Sequence, residues 1–502
     1  MTRPVNTLLW LLAGVLLVRL GLSALIPFMD TTEARYGEIA RIMAESGDWI
    51  TPWFDTGVPF WGKPPLSFWA QALSFRVFGV NEFAGRLPSW LANLGVVWLV
   101  FRAGAALRPD LSAAVARSNG LWAALIYATT ALGFISAGTV MTDSFLALGT
   151  SLTLCSLVLR LSGATALWGW GFFAGLAIGL LAKGPLALVL TGIPVFFWAL
   201  VCRQWRTLWQ CLPWLRGTLA LLATVLPWYV LAELKTPGFL DYFIVGEHIR
   251  RFVISNWQGD LYGNAHQFTR GTIWLYLLLA SCPWGFFLIS ALFRKKPGRD
   301  SAPETPALPQ GLLVLTSASA LTPALFFTFS GNILWTYVLP GLPFLAIMVA
   351  RYWPLSASGL PARSTVAAVW LIPLVAVSIS LWISIHPEQL KTEKFLMDRI
   401  AEKFGEQAGP VYFLDQEPFS ARFYGRGRTQ MLPSSHLEHF ADNHWSGQQR
   451  LVAVKQRDRD AIRILEHRAR AVDQDRRYIV YYLPATEDRI SGDTGNRSVP
   501  GA

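Results

Sequence analysis

Apolar runs of about 20 residues recur along this chain, and each is long enough to cross the hydrocarbon core of a bilayer as a helix. That feature leaves few architectures open. Inside a membrane every backbone N–H and C=O must be satisfied by the protein itself, so spanning segments are helices or strands of a closed barrel. Barrel strands show short stretches of alternating polarity, and these runs are continuously apolar. The chain is 53% hydrophobic and only 15% charged, whereas a soluble domain is nearer a quarter charged. The sequence therefore predicts an all-α polytopic membrane protein.

Eleven runs lie near residues 5–27, 86–106, 112–130, 140–160, 166–182, 184–201, 212–232, 271–293, 310–329, 334–351 and 364–385, so about 11 to 13 transmembrane helices are expected. They define a transmembrane domain over residues 1–385, with long polar loops at 28–85 and 233–270, followed by a polar tail over 386–502. The first run is long for a signal peptide and no A-x-A site follows it, so it reads as an uncleaved helix.

The net charge of +11 is scattered through short loops at Arg102, Arg108, Arg117, Arg160, Arg203, Arg206, Arg216, Lys295, Lys296 and Arg351. That is a topology signal rather than a nucleic-acid surface, and it puts these loops in the cytoplasm. Both long loops and the tail then face outward. Cys155, Cys202, Cys211 and Cys282 lie in or beside apolar runs with no CxxC spacing, which indicates neither a disulfide framework nor a zinc site. In the tail, Val411–Leu414, Leu451–Val454 and Tyr478–Tyr482 read as strands and Asp460–Arg470 as a helix, a small α/β domain.

The chemistry is expected in the first outer loop. Asp30 to Ser46 fits a helix with Tyr36, Ile39, Ala40 and Met43 on one face, an amphipathic pattern suited to the membrane surface. Asp30 and Glu33 have the spacing of a helix cap and its partner, yet carboxylates beside hydrocarbon are costly unless they act. Phe60-Trp-Gly-Lys-Pro-Pro-Leu66 sets Lys63 in a stiff aromatic turn. There it serves as a point charge for phosphate or snorkels to the interface.

Asp143 opens the fourth run, as a functional carboxylate or a helix cap. Lys183 lies at a Gly-Pro turn. Glu247-His-Ile-Arg-Arg-Phe252 supplies Arg250 and Arg251, and His266 follows. Arginine holds phosphate through forked hydrogen bonds. Carboxylates and cations on one outer surface suit sugar transfer from a lipid phosphate. Cations stabilise the charge developing on the leaving phosphate, and a carboxylate takes the acceptor's proton.

Thr32-Glu-Ala-Arg-Tyr-Gly-Glu38, Ser46-Gly-Asp-Trp49, Gly62-Lys-Pro-Pro65, Leu181-Ala-Lys-Gly-Pro185, Pro227-Trp-Tyr229, Glu247-His-Ile-Arg-Arg-Phe252 and Trp335-Thr-Tyr-Val-Leu-Pro340 resemble the aminoarabinose transferase family. These are bacterial relatives of the protein O-mannosyltransferases with the GT-C fold. The likeness covers residues 5–350 and is most specific in the first loop. It implies an inverting transferase in the bacterial inner membrane, using an undecaprenyl-phosphate sugar on the periplasmic side. The acceptor is lipid A, lipopolysaccharide or another envelope glycan, or secreted protein. By motif match, Arg35, Tyr36, Lys63 and Arg251 contact the donor and Asp143 is the second acidic position. His248 and His266 lie near a divalent metal. The chain departs from the pattern at Thr32, where an aspartate is usual, and at Gly62, where a glutamate often precedes the lysine. Asp30, Glu33 and Asp143 are therefore the catalytic candidates, and Asp30→Asn or Lys63→Ala is expected to abolish transfer.

A transporter is the competing class. It would show inverted repeats and polar residues near the membrane midplane. No such repeat is visible, and the charges gather at one face.

Overall fold

The computed structural model describes residues 3–55, 57–108, 112–255, 257–263, 268–293, 311–352, 362–405, 409–442 and 450–483. The chain separates into two compact units, Met1–Leu25 with Ile39–Leu381 and Ile26–Glu38 with Trp382–Ala502.

In the first unit all eleven apolar runs are helical. It opens with α1 (Arg3–Leu25), and α2 (Thr32–Ser46) runs into it from the second unit. A short hairpin, β1 (Trp53–Asp55) and β2 (Val58–Pro59), precedes α3 (Leu66–Phe78). Then come α4 (Glu82–Ala106), α5 (Ala113–Ala128), α6 (Ala131–Ser136), α7 (Asp143–Leu161), α8 (Leu167–Lys183), α9 (Leu186–Val201), α10 (Trp205–Cys211) and α11 (Trp214–Lys235). A π-helical segment, Asp241–Arg250, passes into α12 (Arg251–Val253). The unit closes with α13 (Thr272–Ala280), α14 (Trp284–Phe293), α15 (Leu312–Phe327), a 3-10 turn at Trp335–Gly341, α16 (Leu342–Tyr352) and α17 (Arg363–Ile385).

Five helices among the described residues are long and apolar enough to span a membrane alone: Pro4–Leu25, Glu82–Ala106, Asp143–Leu161, Trp214–Lys235 and Thr365–Ile385. The eighth run is broken. Its halves, α13 and α14, meet at 105° around Pro283, which has no N–H to continue a helix.

Small residues let α7 and α8 approach closely. A Cβ on Gly149 would lie 2.6 Å from the Gly179 nitrogen, and one on Gly175 would lie 2.4 Å from the Thr153 nitrogen. Small-residue interfaces of this kind replace hydrophobic burial as the packing device between helices in lipid. Arg19 of α1 is buried and donates to the carbonyls of Phe134 (2.8 Å) and Ile135 (3.1 Å). These groups at the end of α6 have few partners within their own helix, so the buried cation closes a helix end.

The expected surface helix differs in two respects. It begins at Thr32 rather than Asp30. Its charged side is also covered, with Glu33, Glu38 and Arg41 buried alongside Tyr36, Ile39 and Met43. It is an internal element, not a helix lying open on a membrane surface.

The second unit is an α/β fold. Its helices are α18 (Lys394–Phe404), α19 (Phe419–Gly425), α20 (Leu437–Asp442) and α21 (Arg459–Glu466). Its strands are β3 (Val411–Leu414), β4 (Thr429–Leu432), β5 (Arg450–Lys455), β6 (Arg470–Gln474) and β7 (Tyr478–Leu483). The sheet order is β4-β3-β5-β7-β6, with β3 parallel to β4 and β5, and β7 antiparallel to β5 and β6. Strand alternation gives it two cores. Val411, Phe413, Leu451 and Ala453 pack with α18, and Leu414, Val452 and Val454 pack with Leu437 and Leu465.

Candidate active site

In the first unit the second half of the long loop is pinned to α11. The Asp48 carboxylate accepts from Trp53 Nε1 (2.8 Å) and Lys235 Nζ (2.6 Å), and from the backbone N–H groups of Ile50 and Thr51. Burial raises its pKa, but these bonds, led by that from Lys235, outweigh burial and lower it. Trp69 and Trp228 donate their indole N–H groups to the carbonyls of Trp49 and Ile50. This anchorage delivers the hairpin and the Lys-Pro-Pro turn to the π-helical segment.

There Glu247 organises a charged cluster. Its carboxylate lies 3.1 Å from Lys63 Nζ and accepts from Arg251 Nη1 on both oxygens at 3.0 Å. Arg251 also pairs with Asp260 at 3.3 Å, and Tyr242 donates to Glu247 at 3.3 Å. The Glu247 side chain is only 5% exposed, so its charge is compensated by protein rather than water. Burial alone would raise its pKa, but Lys63 and Arg251 override that and hold the carboxyl down at about 2. Burial works against the Arg251 charge as well, and Glu247 reverses the effect and raises its pKa. Lys63 also donates to its neighbour, the Gly62 carbonyl.

The aromatic wall has its own polar links. Tyr262 donates to the Pro59 carbonyl at 2.7 Å and accepts from the Trp61 N–H at 3.0 Å. Asn332 donates to the carbonyls of Arg251 (2.6 Å) and Ile254 (3.1 Å), fixing the end of α12. Arg251 Nε is buried with no hydrogen-bond partner, an orphaned donor of the kind that demands an explanation in a native protein.

A second pair adjoins this cluster. Asp143, the first residue of α7, lies 2.7 Å from Lys183, the last residue of α8, and both are buried. The Lys183 ammonium stands 5.0 Å from the centre of the Tyr337 ring, a cation–π arrangement. Tyr337 feels the charges of Arg251, Lys63, Asp143 and Glu247 alike, so one phenol faces both groups. His248 completes the link. Its Nδ1 is 2.7 Å from the Phe243 carbonyl and its Nε2 is 3.0 Å from the Lys183 carbonyl. Burial lowers its pKa despite two acceptors that favour the protonated ring. The turn leaves no room beside it. Gly184 has φ +69°, and a Cβ there would lie 2.6 Å from the Phe243 ring.

The remaining candidates belong to the second unit. Asp30 accepts from the Ser420 N–H and hydroxyl, both at 2.8 Å. Burial outweighs these bonds and raises its pKa. Glu33 is buried on the first turn of α2. The Arg35 guanidinium lies 5.2 Å from the Tyr36 ring and 5.9 Å from that of Phe419.

The structure thus joins Lys63 to Arg251 and Asp143 to Lys183, within one unit. Arg250 is exposed and stands outside the cluster. The Glu247–Phe252 motif, expected to supply arginines for phosphate, is charge-balanced, with Glu247 and Asp260 facing Arg251 and Glu247 facing Lys63. Sequence reasoning did not assign Glu247, Asp260, Tyr242, Tyr262 or Tyr337. Glu247 had a signal, since it precedes Arg251 by four residues, the spacing of a helical ion pair.

The expected metal does not fit the described residues. Among them no group of three His, Cys, Asp or Glu side chains could hold an ion. His248 has both ring nitrogens within hydrogen-bond distance of backbone carbonyls, so neither faces a ligand position. His266 lies outside the described residues.

Residues 7–243 match the family model described as dolichyl-phosphate-mannose-protein mannosyltransferase. The chain is 32% identical over 334 residues to the undecaprenyl phosphate-alpha-4-amino-4-deoxy-L-arabinose arabinosyl transferase of Edwardsiella ictaluri, covering 64% of this chain and 54% of that protein. It is 31% identical over 357 residues to the protein of the same name in Pseudomonas aeruginosa, covering 67% and 59%. The matches thus span somewhat over half the length of these relatives. The crystal structure of ArnT from Cupriavidus metallidurans bound to undecaprenyl phosphate superposes with TM-score 0.74 over 96% of this chain and 98% of that one, at 18% identity.

Fold and apolar helices define a multi-pass membrane protein of the GT-C class. With that fold, the chain is similar in sequence, over part of its length, to the arabinosyl transferases named above and to the protein mannosyltransferase family model.

Proposed function

We propose that this protein is an inverting glycosyltransferase. It moves a sugar from an undecaprenyl-phosphate donor to an envelope acceptor, lipid A or another glycan of lipopolysaccharide, at the periplasmic face of the bacterial inner membrane. The observation that carries this reading is the pairing of Lys63 and Arg251 on one buried carboxylate, beside the Asp143–Lys183 pair. The orphaned Arg251 Nε supports a site with unused capacity for an anion.

The chemistry follows from those positions. The planar Arg251 guanidinium and the Lys63 ammonium hold the donor phosphate and stabilise its developing charge. The acceptor oxygen attacks the anomeric carbon from the face opposite the phosphate. The bond from that carbon to the phosphate oxygen breaks, and undecaprenyl phosphate leaves with the electron pair. Asp143 takes the acceptor's proton, and Lys183 fixes its orientation. Basic short loops support a cytoplasmic N-terminus, with the site and tail on the periplasmic side.

The test uses the full chain in nanodiscs with undecaprenyl-phosphate 4-amino-4-deoxy-arabinose and a lipid A acceptor, read by mass spectrometry. Transfer that is lost in Lys63→Ala and Asp143→Asn, with the protein still inserted, supports the reading. Full activity in both variants at normal abundance overturns the site. The matched family model names protein mannosyltransferases, which supports a second reading with a protein acceptor. Glycopeptide analysis of envelope proteins from a strain lacking the chain separates the two.

A further inference from the structure

The end of α12 is held from outside the helix. α12 has three residues and stops at Ile254, whose backbone is extended (φ −93°, ψ 113°), so its last carbonyls have no onward partner in the helix. The stretch that follows α15 supplies partners. The Gly331 N–H donates to the Phe252 carbonyl at 2.8 Å. Asn332 Nδ2 donates to the carbonyls of Arg251 at 2.6 Å and Ile254 at 3.1 Å. Only glycine allows this approach, since a Cβ at Gly331 would lie 2.9 Å from the Ser255 nitrogen. The Ser330 hydroxyl donates to the Asn332 carbonyl at 2.7 Å, and the Phe252 ring stacks on Phe326 at 4.7 Å. The stretch then enters the 3-10 turn that carries Tyr337, the ring beside Lys183.

Asn332 is 3% exposed, and its Oδ1 is buried with no hydrogen-bond partner. A buried unpaired acceptor is costly, so packing alone would favour an apolar side chain here. Turning the amide round would set its oxygen against the two carbonyls, which fixes its orientation. The position therefore demands a pair of donors. Arg251 is the residue that this grip serves. Its Nη1 is committed to Glu247 and Asp260, and its Nε is unpartnered. Where that Nε points depends on the backbone at residue 251, and Asn332 holds the carbonyl of that residue.

We propose that Asn332 is a positioning residue for donor binding: its carboxamide fixes the Arg251 backbone so that the guanidinium meets the lipid phosphate in one orientation. The proposal rests on the functional reading above, in which Arg251 holds that phosphate. Through Tyr337 the same stretch also borders the Asp143–Lys183 pair, so one short connection touches both halves of the site.

A double-mutant cycle separates positioning from packing. Undecaprenyl phosphate binding is measured for the full chain in nanodiscs, with the melting temperature of each variant recorded alongside. Asn332→Leu removes both amide donors and keeps the branched shape. It is expected to weaken binding about tenfold, near 1.4 kcal/mol. Arg251→Lys keeps the cation and loses the planar fork. In that background Asn332→Leu is expected to weaken binding by less than about twofold further. If Asn332→Leu does not give folded protein, Asn332→Ser, which removes the amide with less bulk, carries the same comparison. Parent-like binding in the folded Asn332 variant overturns the proposal. An equal loss in both backgrounds overturns it too, because that is what a purely structural role gives. Lys63→Ala and Arg251→Lys are the controls: if both bind undecaprenyl phosphate as the parent does, the functional reading itself has failed, whatever Asn332 does.

Discussion

Glu247→Gln tests the charge balance of the site most directly. In the parent protein one buried carboxylate compensates two cations at 3.0–3.1 Å. The substitution keeps shape and removes the charge. Lys63 and Arg251 are about one-fifth exposed and cannot recover full hydration. Removing one partner of a buried pair costs about 3–5 kcal/mol. Asp260 still pairs with Arg251 at 3.3 Å, and the amide oxygen still accepts one hydrogen bond, so about 2–3 kcal/mol is expected. The same change helps an anionic ligand, since a bound phosphate no longer faces a like charge. At about 6 Å and an effective dielectric near 20, that repulsion is about 3 kcal/mol. Relaxation of the cations and counter-ions reduces it, and undecaprenyl phosphate is expected to bind about tenfold tighter.

The assay is thermal unfolding of the purified full chain with and without undecaprenyl phosphate. Glu247→Gln is expected to show a lower melting temperature without lipid and a larger lipid-induced rise than the parent. The pH dependence adds a check of sign. Glu247 has a folded-state pKa of about 2, below its ordinary value of 4.5. The unfolded chain therefore binds the proton first. The pair's stabilisation is complete above pH 4.5 and is lost as pH falls toward 2. The parent should lose stability below about pH 4.5, and the variant should lose less. Lipid binding weakened as severely as in Lys63→Ala would refute the reasoning, because Glu247 would then be aligning the cations and not competing for them.

Three further outcomes follow from particular contacts. Burial raises the Glu393 pKa to about 7 against the pull of Arg477, with Asp475 and Asp30 adding to the rise. The folded chain holds that proton between pH 4.5 and 7 and the unfolded chain does not, so stability falls by up to about 3 kcal/mol across that window. Protease resistance of the C-terminal unit in the full chain should decline over this window in the parent and stay flat in Glu393→Gln. Gly149→Ala and Gly175→Ala place a methyl against the backbone of the facing helix at 2.6 Å and 2.4 Å. Each should destabilise by about 1–3 kcal/mol, read as a lower melting temperature. Asp143→Asn strands Lys183 in a buried position and should cost about 3 kcal/mol. The double variant Asp143→Asn, Lys183→Met should recover stability without recovering transfer.

The helices were legible because hydrocarbon forces one solution on an apolar run, and length and composition alone identify it. The break at Pro283 and the helix Leu66–Phe78 inside the first loop were not, since both are set by what packs around them. The edge strands Thr429–Leu432 and Arg470–Gln474 were missed because they are polar: each has one unpaired edge and lacks the apolar run that marks the central strands. The same logic governs the site. Lys63, Asp143, Lys183 and Arg251 were visible as charges that water could not be solvating cheaply, and the structure pairs them. Glu247 was passed over because a single carboxylate among basic residues looks incidental until its two partners arrive from 184 and four residues away. Asp30 shows the converse. A costly carboxylate beside hydrocarbon signals that something needs it, but not whether the need is chemical or structural. Its Ser420 contact comes from 390 residues away in sequence, and local spacing carries no record of that distance.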